Sequence, residues 1–351
     1  MADAGFSLPE AALADYLARH VEGFRGPLVA TKFEGGQSNP TYLLEAASGR
    51  YVLRRKPPGV LLPSAHAVDR EFRVLQALRD SAVPVARALH LCEDKSVIGT
   101  MFYVMAHADG LVLWDPALPD VAPSERGAYY EAIVDTLAAL HAVDVDAVGL
   151  ADHGKPGNYF ARQLARWATQ YRASETRRIE AMETLLAELP PRCPDDDGRV
   201  ALVHGDYRID NLMFAHDGPR ILAVMDWELS TLGHPLADLG YLCMALRLPP
   251  RPPLPGLAGL DRVALGIPDE AALLQRYAEL GERHGHGIDP RAMDWPFVLA
   301  FSFFRLAAIA QGVARRAEQG NASSAQAAQA GEMARVLAEM GVQALHGDAS
   351  A

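Results

Sequence analysis

Cysteine is scarce in this 351-residue sequence. Its three cysteines, Cys92, Cys193 and Cys243, are widely spaced and form no CxxC pair, which argues against both a disulfide framework and a structural zinc site. Such sparse thiols suit a reducing compartment, and a cytoplasmic location is expected. Clustered positive charge is also missing. Lys and Arg number 33 against 44 Asp and Glu, a formal charge of −11, and no basic block is dense enough to act as a footprint for nucleic acid or an anionic membrane. Long apolar runs are short of a membrane span as well. The N-terminus MADAGFSLPEAALADYL carries an acid where a secretory leader would be basic, and the run FVLAFSFF is stopped by Arg305. Neither a nucleic-acid nor a membrane partner is therefore expected. Apolar substance is plentiful: 50% of the residues are hydrophobic, enough to bury the core of one large domain or of two lobes.

The pattern divides the chain. Ser7, Pro9 and Glu10 read as a capping box with proline near the first turn, opening a helix that runs to about Val21. From Leu28 to Lys56, three β-rich runs are separated by EGGQSN and AASGR, the punctuation of antiparallel hairpins. Residues 65–80 then switch to helical spacing with Val68, Phe72, Leu75 and Leu78 on one face, and two more strands are expected around VARALHL and GTMFYVMA. From Pro123 onward the chain reads as mostly helical. It offers AYYEAIVDTLAALHAV, one long helix from about Tyr159 to Leu189, and three more at about 269–285, 294–319 and 321–344. Between them VALVH, NLMF and RILAVMDW read as short strands, and LPPRPPLPG at 248–256 as a rigid loop. The expected fold class is α+β and bilobal: a small β-rich N-terminal lobe over residues 1–106 and a larger, mostly helical lobe over residues 107–351, with a cleft between.

The stretch LVHGDYRIDNLMF, residues 202–214, concentrates polar residues between two apolar runs. Asp206 and Asn211 stand five apart, and fifteen residues beyond Asn211 comes Asp226, at the end of an apolar strand. Phosphoryl transfer needs this division of labour: a carboxylate to orient the attacking hydroxyl and accept its proton, and separate oxygen ligands for Mg²⁺. Taken alone, the same residues also suit turn and cap chemistry.

Together with AVMDWELSTLGHPLADLGYL, the stretch resembles the aminoglycoside phosphotransferase (APH)/choline kinase-like superfamily, small-molecule relatives of the protein kinases. The resemblance implies a protein-kinase-like fold and ATP with Mg²⁺ as cofactors. Carried over position by position, it implies Asp206 as catalytic base, Asn211 and Asp226 as Mg²⁺ ligands, and Asp238 as a buttress of the catalytic loop. His204 reads as a structural hydrogen-bonding residue.

The N-terminal half offers the parts that such a site needs above its phosphates. FEGGQSNPTYLL fits a hairpin loop whose backbone, around Gly36 and Ser38, approaches phosphate, although it lacks a full G-x-G-x-x-G. In YVLRRK, strand alternation puts Arg54 and Lys56 on one face and Arg55 on the other. Arg54 aligns with the family's phosphate-binding lysine, and Lys56 is the alternative. On the following helix Glu71 falls inside the apolar stripe while Asp69, Arg70 and Arg73 do not. A carboxylate aimed into a buried interface needs a cation, which either Arg54 or Lys56 would supply. The backbone around Met105 to His107 is the expected partner of the adenine ring.

Aminoglycosides are polycations and call for carboxylates, yet FVLAFSFFRLAAIAQGVARR contains three arginines and no acid. Arg305, Ile309, Gly312 and Arg316 share one helical face, so Arg305 and Arg316 are expected to bind an anionic substrate with an apolar portion. Pairing of Arg305 with a structural acid, such as one on the 123–141 helix, is the competing reading. YVLRRKPPGVLLPSAHAVDREFRVLQAL and FSFFRLAAIAQGVARRAEQGNASS further resemble the kinase-like domains associated with acyl-CoA dehydrogenases. That resemblance implies phosphorylation of a hydroxyacyl-CoA, with 4-hydroxyacyl-CoA favoured, and an acyl-CoA dehydrogenase as functional partner; the oligomeric state is left open, a homodimer included. The alternatives are a kinase for another small hydroxyl compound (an aminoglycoside, an amino alcohol or a sugar), a metal-dependent hydrolase built on His204, Asp206, Asp226 and His234, or a non-catalytic nucleotide or acyl-CoA binding module.

Overall fold

The computed structural model describes residues 7–33, 39–57, 66–318 and 329–347. It begins with α1 (Glu10–His20), whose Leu13 and Leu17 are fully buried. The expected capping box does not form. Pro9 occupies the N-cap position without a side-chain cap, and the Glu10 carboxylate instead accepts the Ala30 amide at 2.8 Å. That bond ties the helix to the first strand.

The strands β1 (Leu28–Lys32), β2 (Thr41–Ala46), β3 (Gly49–Arg55), β4 (Ala88–Cys92) and β5 (Phe102–Ala106) build one antiparallel sheet in the order β1-β2-β3-β5-β4. Helix α2 (Val68–Leu78) is inserted between β3 and β4. Alternation along β5 separates two cores. Phe102 and Val104 join Leu13, Leu17, Leu44 and Leu53 against α1, while Tyr103 points the other way and joins Phe72 and Leu75 of α2. The second core continues without a break into the helical lobe.

In that lobe β6 (Leu111–Val112), β8 (Leu212–Phe214) and β9 (Ile221–Val224) form a small antiparallel sheet in the order β6-β8-β9, and β7 (Ala201–Val203) pairs with β10 (Thr231–Gly233). The helices are α3 (Pro123–His141), α4 (Tyr159–Ser174), α5 (Glu180–Arg192), α6 (Leu236–Met244), α7 (Arg262–Leu265), α8 (Glu270–His284), α9 (Trp295–Glu318) and α10 (Ala330–His346). The single long helix expected from Tyr159 to Leu189 is thus two, with a break after Ser174. Three hydrogen bonds made by side chains explain it. The Ser174 hydroxyl turns back onto the Gln170 carbonyl, and buried Gln311 of α9 donates to the Ser174 carbonyl at 2.9 Å and to the Thr176 hydroxyl at 3.0 Å.

α9 is the central helix, packed against α4, α5, α6 and α10. By length and mean hydropathy, 1.8 over its most apolar window, it could cross a membrane, but 89% of that window is buried inside the protein. Its close approach to α6 depends on Gly240, where a Cβ would meet the Val298 side chain at 2.5 Å.

Two arginines of α2 that lie outside the apolar stripe clamp the helix to the large lobe. Arg70 donates to the His153 carbonyl at 2.6 Å and to the Ser230 carbonyl at 3.3 Å, and Arg73 reaches the Gly149 carbonyl at 2.5 Å and the Asp152 carboxylate. Their polarity serves the contact between lobes.

Candidate active site

The loop from His204 to Asn211 follows β7 and returns as β8. Its first turn needs glycine. Gly205 has φ +83°, and a Cβ there would lie 2.6 Å from the Leu229 carbonyl oxygen, so both conformation and space exclude a side chain. Both carboxylate oxygens of Asp238 hold this turn, accepting the His204 amide at 2.6 Å and the Gly205 amide at 2.8 Å. Asp238 is wholly buried near the start of α6 and caps no amide of its own helix. Burial would raise its pKa, but hydrogen bonding from His141 and the neighbouring histidines hold it below the usual carboxylate range. His141 in turn faces the Tyr277 hydroxyl at 2.6 Å, so α3 and α8 brace the loop through one imidazole.

His204 is scaffolding by its contacts. Its Nε2 meets the Met225 carbonyl at 2.7 Å and its Nδ1 accepts the Asp206 amide at 3.2 Å, so neither ring nitrogen is free for a metal. His234 pairs with Asp197 at 3.3 Å. The four side chains of the hydrolase alternative therefore do not converge, and among the described residues no three His, Cys, Asp or Glu side chains form a group that could hold a metal.

Asp206 and Asn211 do come together. The Asn211 Nδ2 donates to the Asp206 carbonyl at 2.8 Å and to its carboxylate Oδ2 at 3.0 Å. This leaves the amide oxygen of Asn211 as the atom that a cation would take. Asp226 follows β9 in the left-handed region, at φ 61°, an uncommon conformation for a non-glycine residue and one that recurs at functional sites. Its carboxylate is about a third exposed, toward the cleft. An amide oxygen and a carboxylate suit a hard divalent ion that completes its shell with water and phosphate oxygens. Asp210 is engaged by Arg208 and lies outside this set.

Across the cleft, Arg54 spans the two lobes. Its Nη2 donates to Asp226 Oδ1 at 2.6 Å, and its Nε lies 2.8 Å from Glu71 Oε2, a charge contact off the line of an ideal hydrogen bond. Glu228 is 4.0 Å away. Lys56 pairs instead with Asp69 at 3.3 Å, so of the two candidate cations for Glu71 it is Arg54 that makes the contact. Burial pushes the Glu71 carboxyl up to about 7 in spite of Arg54. Burial opposes the Arg54 charge, but Glu71 and Asp226 outweigh it and raise its pKa.

The remaining expected residues fall out unevenly. Gly36 and Ser38 lie outside the described residues. Around the expected adenine position, the Ala106 amide already donates to the Arg87 carbonyl at 2.9 Å and the His107 amide to the Arg50 carbonyl at 3.4 Å. An adenine ring meeting Met105 to His107 finds those two donors engaged. Arg305 is 5% exposed, and its guanidinium lies over the rings of Trp167 and Tyr241, 5.6 and 5.4 Å from their centres. Among the described residues it has no carboxylate partner, so the expected alternative of an acid on α3 is not realised; α3 offers Glu131 and Asp135 to Arg276 instead. Arg316 is exposed three turns further along α9, and the shared face runs from core to solvent rather than lining one site.

Sequence reasoning missed Asn39, Tyr103, Tyr241 and Trp167. Tyr103 had a signal: alternation opposite core residues Phe102 and Val104 puts it beside Arg54, its cross-strand neighbour. It donates to Glu71 at 3.2 Å. Burial first, and then the charge of the Asp206 carboxylate, push the Tyr241 hydroxyl above its ordinary pKa. Beside this tyrosine, Leu248, Leu254 and Pro255 of the proline-rich loop line an apolar crevice with Trp114 and Ile209.

A two-lobed fold whose cleft joins a paired arginine and helix glutamate to a carboxylate, an amide and a second carboxylate defines a kinase-like phosphotransferase. The comparisons agree. The APH phosphotransferase enzyme family model matches residues 29–276. Acyl-CoA dehydrogenase family member 10 of Mus musculus is 46% identical over 336 residues, covering 95% of this chain and 31% of that protein. Family member 11 of Rattus norvegicus is 43% identical over 335 residues, covering 94% and 42%. This chain thus spans less than half the length of either relative. Among solved structures, a candidate aminoglycoside phosphotransferase from Ralstonia eutropha JMP134 is 49% identical, covers 97% of this chain and 99% of its own, and superposes with a TM-score of 0.86. The chain belongs to the APH phosphotransferase family; it is a nucleotide-using phosphotransferase that acts on hydroxyl groups.

Proposed function

We propose that this protein is an ATP- and Mg²⁺-dependent kinase that phosphorylates a hydroxyl of an anionic hydroxyacyl-CoA, with the 4-hydroxyacyl-CoA favoured. The observation that carries the kinase reading is Arg54, held on Glu71 and touching Asp226 172 residues away. In this reading Asp206 orients the acceptor hydroxyl and takes its proton, and the hydrogen bond from Asn211 holds that carboxylate in place. Asn211 and Asp226 would hold Mg²⁺, which supplies neutralisation of phosphate charge. Arg54 binds the transferring phosphates. His204 and Asp238 keep the loop in register.

The substrate reading rests on Arg305, a buried guanidinium clamped by two aromatic rings with no carboxylate partner among the described residues. A buried cation of this kind is suited to an anion supplied by the substrate. The apolar crevice beside Tyr241 suits an apolar portion. That the two relatives are acyl-CoA dehydrogenase family members supports an acyl-CoA substrate and a dehydrogenase as functional partner.

Incubation with Mg·ATP and a panel of 3- and 4-hydroxyacyl-CoAs, aminoglycosides, choline and homoserine, read by ADP release and product mass, tests both levels. Asp206→Asn is expected to lower turnover by about 10²- to 10⁴-fold. Unchanged ADP release in that variant would remove Asp206 from its role, and preferential turnover of an aminoglycoside would overturn the substrate. Arg305→Met is expected to raise the KM for the acceptor about tenfold, the weight of one charge-assisted contact, with the KM for ATP unchanged.

A further inference from the structure

Asn39 is 1% exposed and is the first described residue after the stretch 34–38. Its side-chain amide is used at both ends. The Nδ2 donates to Glu71 Oε1 at 2.8 Å, and the Oδ1 faces His66 Nδ1 at 3.1 Å. The Thr41 hydroxyl donates to the Asn39 carbonyl at 3.1 Å and so anchors its backbone. The contacts of the Glu71 carboxylate are divided between its oxygens. Oε2 meets Arg54 at 2.8 Å and the Tyr103 hydroxyl at 3.2 Å, whereas Oε1 faces Asn39.

We propose that Asn39 is a positioning residue of the nucleotide site, its amide fixing the plane of the Glu71 carboxylate so that Oε2 presents Arg54 to the cleft. Without it the buried Oε1 loses its donor, and the carboxylate gains by rotating to share Arg54 and Tyr103 between both oxygens. That rotation draws the guanidinium off its line to Asp226. The inference rests on the reading of Arg54 as the phosphate contact.

A double-mutant cycle tests it. Wild type, Asn39→Ala, Glu71→Gln and the double variant are titrated with Mg·AMP-PNP by calorimetry, and thermal unfolding establishes that each is folded. Each single variant is expected to bind about tenfold more weakly, and the double variant no more than about twofold weaker than Glu71→Gln, because Asn39 acts only through Glu71. Asn39→Ser, which keeps a polar group in the pocket, takes the place of Asn39→Ala if the latter does not fold. Additive losses, or wild-type affinity in Asn39→Ala, overturn the inference alone. A folded wild type that does not bind Mg·AMP-PNP overturns the reading of Arg54 and this inference with it.

Discussion

Arg54 has only one guanidinium for the carboxylates of Glu71 and Asp226, and that sharing sets the energetics of the site. A buried ion pair is worth little against a well-packed apolar pair, but removing one partner strands the other charge. Arg54→Met is therefore expected to destabilise the fold by about 3 kcal/mol, measured by urea unfolding, and adding Glu71→Gln should recover most of the loss. A lysine is a poorer substitute, since a point charge cannot hold two carboxylates in a fixed fork. At this scale the sequence was legible where a period spoke. Strand alternation and the helical stripe brought Arg54 and Glu71 to one interface. They could not choose between Arg54 and Lys56, because the choice depends on Asp69, which captures Lys56 at 3.3 Å. Asn39 gave no signal of its own, as an asparagine after a glycine-rich turn reads as turn chemistry.

Among the elements, α2 matters for more than its apolar face. Arg70 and Arg73 lie outside the stripe and reach carbonyls and a carboxylate of the other lobe. Arg70→Ala is expected to cost about 1–2 kcal/mol, toward the low end for hydrogen bonds from a charged donor because Arg70 is exposed, and to speed amide hydrogen exchange in α2 more than in α9. Equal protection in variant and wild type would mean that α2 is held by its apolar face alone. The loop before β8 depends in the same way on α6. Asp238→Asn leaves one acceptor for two buried amides and turns an NH₂ toward the other, so a loss of about 2 kcal/mol in urea unfolding is expected, with turnover reduced. Most elements were legible from period and punctuation, including the five strands of the small lobe. The break between α4 and α5 was not, since it is sealed by Gln311 from α9, 137 residues beyond Ser174. The capping box of α1 failed for a related reason: Glu10 found a better partner in β1 than in its own helix.

For the whole molecule, Glu71 links stability to pH. Burial raises its pKa from 4.5 to about 7, so between these values the folded protein holds a proton that the unfolded chain has released. The stability this contributes is full below pH 4.5 and is lost as pH rises through about 7. Unfolding free energies from urea titration should therefore fall between pH 5 and pH 8 by an amount set by that shift, on the order of 3 kcal/mol at most, and Glu71→Gln should flatten this arm of the profile. A profile unchanged by the substitution would contradict it. The charged Glu71 that weakens the fold is the form that pairs with Arg54, so Mg·AMP-PNP affinity is expected to rise over the same pH range.

The sequence by itself determined the α+β plan, the polar loop and the order of its parts, because hydrophobic period, turn residues and motif spacing are local properties. Tertiary structure decided which cation meets Glu71, that Arg305 rests between two rings with no acid from α3, and that Arg316 stands apart from it in solvent. These outcomes turn on contacts between residues as far apart as the 172 positions from Arg54 to Asp226, and on competition among neighbours that no local window contains.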